Sequence, residues 1–144
     1  MSTRSMIARK TENGIEAVYC HNEGGPAHHL PILTGSYATE EKAAALLDLG
    51  GLSVLGPELG EKHDFRTHGK TPETENWCLA YRRDRGDKDE VAAKRTYATE
   101  EEFLAAVSET WAEYVYLFRG GRWLYRARRG EAWSIANLPA RAGA

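Results

Sequence analysis

Residues 15–29 have the sequence IEAVYCHNEGGPAHH, a strand-forming segment that runs into a loop. Its β-branched and aromatic residues predict a strand over residues 15–21, in which Tyr19 and Cys20 point to opposite faces because side chains alternate along a strand. The Gly-Gly-Pro sequence that follows predicts a chain reversal. His28 and His29 are predicted to lie in this loop, so the segment places several chemically capable side chains beside a turn.

The composition predicts one ordinary globular domain, residues 1–144, with flexible ends at about 1–10 and 139–144. Apolar residues make up 42% and charged residues 28% of the chain, and the formal net charge is -2. No apolar run approaches the roughly 20 residues that span a bilayer, and the first ten residues lack a signal-peptide core. We therefore expect no membrane partner and a location in the cytoplasm.

Two tight turns predict β-hairpins around the ends of the chain. Asn13-Gly14 precedes the strand at 15–21, and Gly120-Gly121 separates two segments rich in aromatic residues. A further strand is predicted at 77–83, with a turn at 84–89 and a returning strand at 91–97. Residues 60–75 lack periodicity and are predicted to form a long loop.

Two helices are predicted from a repeated sequence, YATEE, at residues 37–41 and 97–101. Thr39 and Thr99 are predicted N-caps, and Glu102 completes a capping box with Thr99. The buried faces are predicted to hold Ala43, Leu46 and Leu47 in the first helix, and Phe103, Leu104, Val107 and Trp111 in the second. The resulting fold class is α+β, with an antiparallel sheet of about five or six strands and two main helices on one face.

Histidine, cysteine and aspartate side chains suggest a metal site, but their spacing is not typical of one. The set that would bind a metal is Cys20, His21, His63 and Asp64. The sequence lacks paired ligand motifs, and Cys20 and His21 point to opposite faces of a strand. We therefore expect no metal, no cofactor and no catalytic residue, with Cys20 and Cys78 as buried thiols. A metal-dependent hydrolase that uses these residues remains the enzymatic alternative.

Arginines interleaved with aromatic residues are the stronger functional signal. The guanidinium fork suits phosphate, and an aromatic ring stacks on a nucleobase. Basic residues, Arg95 among them, are concentrated in the second half of the chain. The aromatic residues Tyr97, Tyr116 and Tyr125 lie in the same half. The alternative is a solvated sheet face whose arginine stems cover apolar surface. The predicted ligand- or partner-binding residues are Tyr19, His21, His28, His29, Tyr81, Arg82, Arg83, Arg85, Arg119, Arg122 and Trp123.

Several motifs resemble a family of small, uncharacterised proteins encoded by phages, prophages and plasmids. The motifs are STRS at residues 2–5, YCH at 19–21, LDLGGLSVLG at 47–56, KHDF at 62–65 and WCLAYRRDRG at 77–86. Relatives continue the YCH strand with an aromatic residue and an acid, whereas this chain has Asn22-Glu23-Gly24-Gly25-Pro26. A ligand contact made by that aromatic residue in the relatives would therefore differ here.

The resemblance implies a mobile-element context and no established activity. In that context we expect a non-enzymatic binding protein that counters a host defence system in the host cell cytoplasm. One mechanism is anti-CRISPR-like, in which the chain blocks a nuclease complex or its nucleic acid. The other is a sponge that sequesters a nucleotide immune signal, a phosphate-bearing small molecule. Both mechanisms are compatible with a homo-oligomer.

Overall fold

The computed structural model describes residues 3–128, 130 and 132–136, apart from the side chains of Glu90 and Val91. Within these residues the fold is α+β, as predicted, with four helices and one large sheet. The predicted flexible end at 139–144 lies outside the described residues. No helix in the described ranges is long and apolar enough to cross a membrane.

Within the described part of the chain the sheet contains eight strands, more than the five or six predicted. Seven follow the order β4-β3-β2-β1-β6-β7-β8, and β5 pairs separately with β2. Their bounds are β1 Ser5–Thr11, β2 Gly14–Cys20, β3 Leu52–Val54, β4 Leu79–Ala80, β5 Arg95–Tyr97, β6 Tyr114–Arg119, β7 Arg122–Ala127 and β8 Ser134–Ile135.

The prediction of an antiparallel sheet is wrong, because two pairs of strands run parallel. β1 pairs in parallel with β6, and β2 pairs in parallel with β3 through Cys20 and Leu52. The chain reaches each of these partners by a crossover that contains helices, which returns it in the same direction. Residues 5–10, predicted as part of a flexible end, form β1 at the centre of the sheet, where its apolar side chains are buried.

The hairpins predicted at Asn13-Gly14 and at Gly120-Gly121 are confirmed as the pairs β1–β2 and β6–β7. In the first, Glu12 and Asn13 form the turn and Thr11 pairs with Gly14. Gly14 has φ 137°, and a Cβ there would lie 2.1 Å from the carbonyl oxygen of Tyr97. Glycine is therefore required at this position for β5 to approach β2.

The helices cover both faces of the sheet, which corrects the prediction of helices on one face. Their bounds are α1 Pro26–Ser36, α2 Glu40–Asp48, α3 Asp89–Ala92 and α4 Glu100–Val107. Leu33 of α1 and Leu46 of α2 pack in the same buried cluster as Ile7. Phe103 of α4 packs on the opposite face with Ala8. Alternation along β1 separates the two clusters, so the sheet has a hydrophobic layer on each side.

The two predicted caps are confirmed. Thr39 Oγ1 accepts a hydrogen bond from the amide of Lys42 at 3.2 Å, and Thr99 Oγ1 accepts one from the amide of Glu102 at 3.1 Å. The Glu102 carboxylate in turn accepts from the amide of Ala98 at 3.2 Å. These caps start α2 and α4 where the repeated YATEE sequence predicts them.

The predicted hairpin of residues 77–83 and 91–97 is wrong. β4 is only two residues long and pairs with β3, whereas β5 pairs with β2. A π-helical turn, Tyr81–Arg85, follows β4 directly. The buried carboxylate of Asp84 accepts a hydrogen bond from the amide of Ala80 at 2.8 Å, which bends the chain out of the strand.

Candidate functional site

Helix α4 is short and leaves one end of its sheet face open. A cavity of about 390 Å³ lies there, which we call the Trp111 groove. Cavities of roughly 300–1,000 Å³ are usual for small-molecule sites. The groove is lined by Met6, Tyr19, Arg95, Tyr97, Thr110 and Trp111.

Strand register brings the groove residues together. Tyr19 pairs with Met6 across β1 and β2, and Arg95 pairs with Ala17 across β2 and β5. Paired residues of antiparallel strands share a face, and Tyr97 lies two residues beyond Arg95 on that same face. Two tyrosine rings and a guanidinium therefore face the same groove from neighbouring strands.

The Trp111 side chain is exposed because hydrogen bonds of the adjacent Thr110 fix the conformation of the loop after α4. Helix α4 ends at Val107, so Trp111 does not continue its buried face, and the prediction of a buried Trp111 is wrong. Its side chain is 79% exposed, whereas Ala112 beside it is fully buried. Thr110 Oγ1 donates to the carbonyl of Val107 at 2.7 Å and accepts from the amide of Ala112 at 3.1 Å. These contacts hold the loop in a conformation that directs the indole to solvent.

Tyr19 lies beside two further polar side chains. Its hydroxyl is 3.1 Å from Nδ1 of His21, and the two rings are 6.0 Å apart. Burial raises the pKa of Tyr19, and the neighbouring Arg4 guanidinium offsets part of that effect. Arg4 therefore places a positive charge next to Tyr19, which lines the Trp111 groove.

A second aromatic feature, which we call the Arg85 stack, consists of Phe65, Tyr81 and Arg85. The rings of Phe65 and Tyr81 are stacked with centroids 5.7 Å apart and planes at 28°. The Arg85 guanidinium carbon lies 4.6 Å from the centroid of Tyr81 and 5.1 Å from that of Phe65. Asp87 accepts two hydrogen bonds from this guanidinium, each 2.8 Å long. The hydrogen bond to Asp87 is the main cause that raises the pKa of Arg85 and lowers that of Asp87.

The stack and the groove meet at Gly51. A Cβ at Gly51 would lie 3.7 Å from the Tyr81 ring and 3.8 Å from the carbonyl oxygen of Tyr19. Burial is the main cause of the raised pKa of Tyr19, and the Tyr81 hydroxyl is a minor one. Tyr19 and Tyr81 therefore join the two features into one aromatic and cationic surface.

Asp84 anchors the segment that carries the stack. Its carboxylate, fully inaccessible to solvent, accepts from the amides of Ala80 and His63 at 2.8 and 3.1 Å and from Arg83 Nε at 2.9 Å. Arg83 also donates to the carbonyl oxygens of Leu59 and Cys78. Arg83, predicted as a binding residue, is thus engaged in holding the loop at 58–68 against β4.

His63 and His68 form a pair of contacting rings next to the buried carboxylate of Asp84. His63 Nε2 and His68 Nδ1 are 2.8 Å apart, and His63 packs edge-on against Trp77. Burial is the main cause that lowers the pKa of His68, with His63 as a further cause. His63 Nδ1 lies 2.7 Å from the carbonyl oxygen of Glu61 and 3.4 Å from Asp84 Oδ1, so its ring is held on both sides.

Arg82 lies at a second cavity, of about 370 Å³, next to the turn that carries the stack. Its Nε forms an ion pair with Asp89 at 2.8 Å. Three aspartates line this cavity together with Arg82 and Arg83, so its charge is mixed. The lining residues are Asp48, Leu49, Arg82, Arg83, Gly86, Asp87 and Asp89.

Two predicted binding residues lie in the core instead. Trp123 is 1% exposed and donates from Nε1 to the carbonyl of Tyr37 at 2.8 Å. His29 is fully buried in α1, its ring packs against that of Tyr116 at a tilt of 44°, and its Nε2 lies 3.1 Å from Ser5 Oγ. Burial lowers the pKa of His29 to about 3. His28 is half-buried beside it, and both histidines lie on helix α1 rather than in the predicted loop because Pro26 starts a helix there.

Arg119 and Arg122 lie at the far end of the sheet. They pair with each other at the β6–β7 turn, next to the end of β1 that holds Arg9. Tyr19 pairs with Met6 near the beginning of β1. Arg119 also forms an ion pair with Glu100 at 2.7 Å. Arg119 and Arg122 therefore do not join the aromatic surface around Tyr19.

The candidate metal residues are not brought together. Cys20 is buried in the core, and burial raises its pKa to about 12. Asp64 accepts from the amide of Arg66 at 2.9 Å and starts the short 3-10 helix Phe65–Thr67. Within the described part of the chain, no group of three or more His, Cys, Asp or Glu side chains is placed to hold a metal ion.

Sequence reasoning missed three residues of this surface: Arg4, Phe65 and Trp111. Phe65 lies in a segment without periodicity, so nothing predicts its stack with Tyr81. The helical spacing of Trp111 favoured burial, and residues 109–111 contain no glycine or proline that would indicate the earlier end of the helix at Val107. Four of the motif segments that carry the family resemblance (19–21, 47–56, 62–65 and 77–86) meet at this corner of the sheet.

No protein-family model, curated protein or solved structure matches the chain.

Proposed function

We propose that this chain is a non-enzymatic binding protein whose Trp111 groove takes a nucleotide unit of a single-stranded nucleic acid. The observation that carries the proposal is the exposed indole of Trp111 beside a groove lined by Tyr19, Tyr97 and Arg95. A single-stranded base exposes an aromatic face, and stacking on a protein ring contributes about 1–3 kcal/mol per base.

Charge around the groove supports an anionic ligand. Arg95 lines the groove, and Arg4 lies beside the Tyr19 hydroxyl. We expect these guanidinium groups to contact the phosphate of a stacked nucleotide, because arginine suits phosphate through its planar set of donors. The net charge of -2 makes a long-range attraction to nucleic acid weak. Binding would therefore depend on stacking and a few phosphate contacts, with a shallow dependence on salt.

The family resemblance supplies the biological context of the proposal. A phage-encoded protein with such a surface would counter host defence by occupying the nucleic acid on which a nuclease complex acts. This mechanism is anti-CRISPR-like, and it would operate in the host cell cytoplasm without a cofactor.

A sponge for a nucleotide immune signal is the second candidate. The volume of the groove, about 390 Å³, favours it, because cavities of this size hold small ligands. Both candidates share one chemistry, a base stacked on an aromatic ring with its phosphate on arginine. They differ in whether the nucleotide belongs to a strand.

The experiment that tests the proposal is fluorescence anisotropy with a labelled single-stranded oligonucleotide of about 12 nucleotides, as DNA and as RNA. The wild-type chain should bind, and Trp111→Ala should weaken binding about tenfold or more, as loss of one stacking contact predicts. Trp133→Phe is the matched control, because this tryptophan lies near α4 and donates to Glu100. Equal affinity of the wild type and Trp111→Ala would contradict the proposal. Binding of a cyclic dinucleotide without binding of either strand would favour the sponge.

A further inference from the structure

We infer that the nucleotide site extends from the Trp111 groove onto the Arg85 stack, so that its ligand is a strand of two or more nucleotides. This inference rests on the proposed function, and it names the class of ligand. A free mononucleotide would fill the groove alone and leave the stack unused.

The Arg85 stack is a preformed platform. Two rings support the Arg85 guanidinium from below, and Asp87 fixes its orientation with two hydrogen bonds of 2.8 Å. The arginine side chain is nevertheless 51% exposed. A planar group held in one orientation loses little freedom when a ligand stacks on it.

The pairing with Asp87 favours stacking over simple charge attraction at Arg85. The carboxylate neutralises much of the local charge and occupies two of the guanidinium donors. What remains available is the outer planar face, and unpaired bases stack on guanidinium planes as well as on aromatic rings. The stack therefore suits a base rather than an isolated phosphate.

The two platforms are adjacent. Tyr81 belongs to the stack and Tyr19 to the groove, and the Tyr81 ring and the backbone carbonyl oxygen of Tyr19 both lie within 4 Å of the Cβ position at Gly51. Arg4 and His21 flank Tyr19 at this junction. Two bases, one on each platform, would place the phosphate that links them next to Arg4 and His21.

The experiment compares thymidine monophosphate with an oligothymidylate of about eight nucleotides by titration calorimetry. Arg85→Gln removes the upper plane of the stack, and Phe65→Ala removes part of its support. Arg122→Gln is the matched control, because it removes one exposed positive charge at the far end of the sheet.

The expected result is that Arg85→Gln and Phe65→Ala each weaken oligothymidylate binding about tenfold, whereas binding of the monophosphate changes less than about twofold. Arg122→Gln should alter neither. Unchanged oligothymidylate binding in both stack variants would overturn the inference, and the proposed function would stand if Trp111→Ala still weakened binding. An equal loss for both ligands in Arg85→Gln would also overturn it, since the stack would then belong to a mononucleotide site. A chain that binds neither ligand would contradict the inference and the proposed function together.

Discussion

The carboxylate of Asp84 accepts a hydrogen bond from the backbone amide of His63 at 3.1 Å, although the two residues belong to different segments. The same carboxylate accepts from Ala80 and Arg83 and is fully inaccessible to solvent. One buried side chain therefore joins the loop before the Arg85 stack to the strand that precedes the turn.

We predict that Asp84→Asn lowers the free energy of unfolding by about 3 kcal/mol or more. The neutral amide would leave the charge of the Arg83 guanidinium uncompensated, and its NH2 group cannot accept the hydrogen bonds that the backbone amides of Ala80 and His63 donate to the carboxylate. Urea denaturation measures the change. Asp64→Asn is the control, since Asp64 is exposed and caps only the short 3-10 helix, so its loss should be about 1 kcal/mol or less. Equal stability of Asp84→Asn and the wild type would show that the anchor does not stabilise the fold.

Two tryptophans are predicted to differ sharply in their effect on stability. Trp123→Ala should cost about 3–5 kcal/mol, because a buried ring and its hydrogen bond to Tyr37 are lost. Trp111→Ala should change the free energy of unfolding by about 0.5 kcal/mol or less, since its side chain is mostly exposed. Thermal and urea unfolding of both variants measure this difference. A large loss of stability in Trp111→Ala would show that the indole is structural rather than a binding group.

Stability is predicted to fall as the pH is lowered from about 7 to 5, owing in part to His29. Burial lowers the pKa of His29 in the folded state to about 3, from an ordinary value of 6.5. Between these values the unfolded chain binds a proton that the folded chain does not, so acid favours unfolding. The contribution of His29 between pH 7 and 5 is about 2 kcal/mol.

Urea denaturation at several pH values tests this prediction. In His29→Gln the free energy of unfolding should fall by about 2 kcal/mol less between pH 7 and 5 than in the wild type. This difference is expected whatever the effect of the substitution on stability at pH 7. His68 is expected to contribute with the same sign, because burial also lowers its pKa. The same dependence on pH in His29→Gln and the wild type would show that folding does not lower the pKa of His29.

Gly14 is predicted to be essential for the position of β5. Gly14→Ala would place a Cβ 2.1 Å from the carbonyl oxygen of Tyr97, on a backbone with φ 137°. We expect a loss of about 2 kcal/mol or more and weaker binding at the Trp111 groove, which β5 helps to form. Gly35→Ala is the matched control, because no atom lies within 4 Å of its Cβ position and alanine stabilises a helix by about 0.5–1 kcal/mol. Similar unfolding of the two variants would refute this account of β5.

Local rules predicted the parts of the fold that depend on neighbouring residues. Thr39 and Thr99 start helices because a side-chain oxygen next to an acidic first turn satisfies free amides, and Gly120-Gly121 forms a hairpin because both residues adopt positive φ. The parallel pairing of β1 with β6 was not predictable from these rules, because alternation does not report strand direction.

The candidate site was predicted only in part for a related reason. Tyr19, Tyr81 and Arg85 were identified by residue type, and the structure brings them together. Trp111 was assigned to the core because its spacing fits a helix that in fact ends at Val107. Trp123 was assigned to the surface because a strand at the end of a hairpin gives no sign of which face is covered. Burial depends on packing between distant segments, which one sequence does not specify.

The most direct test of the proposed binding surface is a heteronuclear NMR titration that follows the indole Nε1–H signals while an oligothymidylate is added. Trp111 and Trp123 serve as reporters of the groove and the core, and their signals can be assigned with Trp111→Phe and Trp123→Phe. We predict that the Trp111 signal shifts with added oligonucleotide and that the Trp123 signal does not. An unchanged Trp111 signal at concentrations where the oligonucleotide binds would contradict the account, because the strand would then bind elsewhere on the protein.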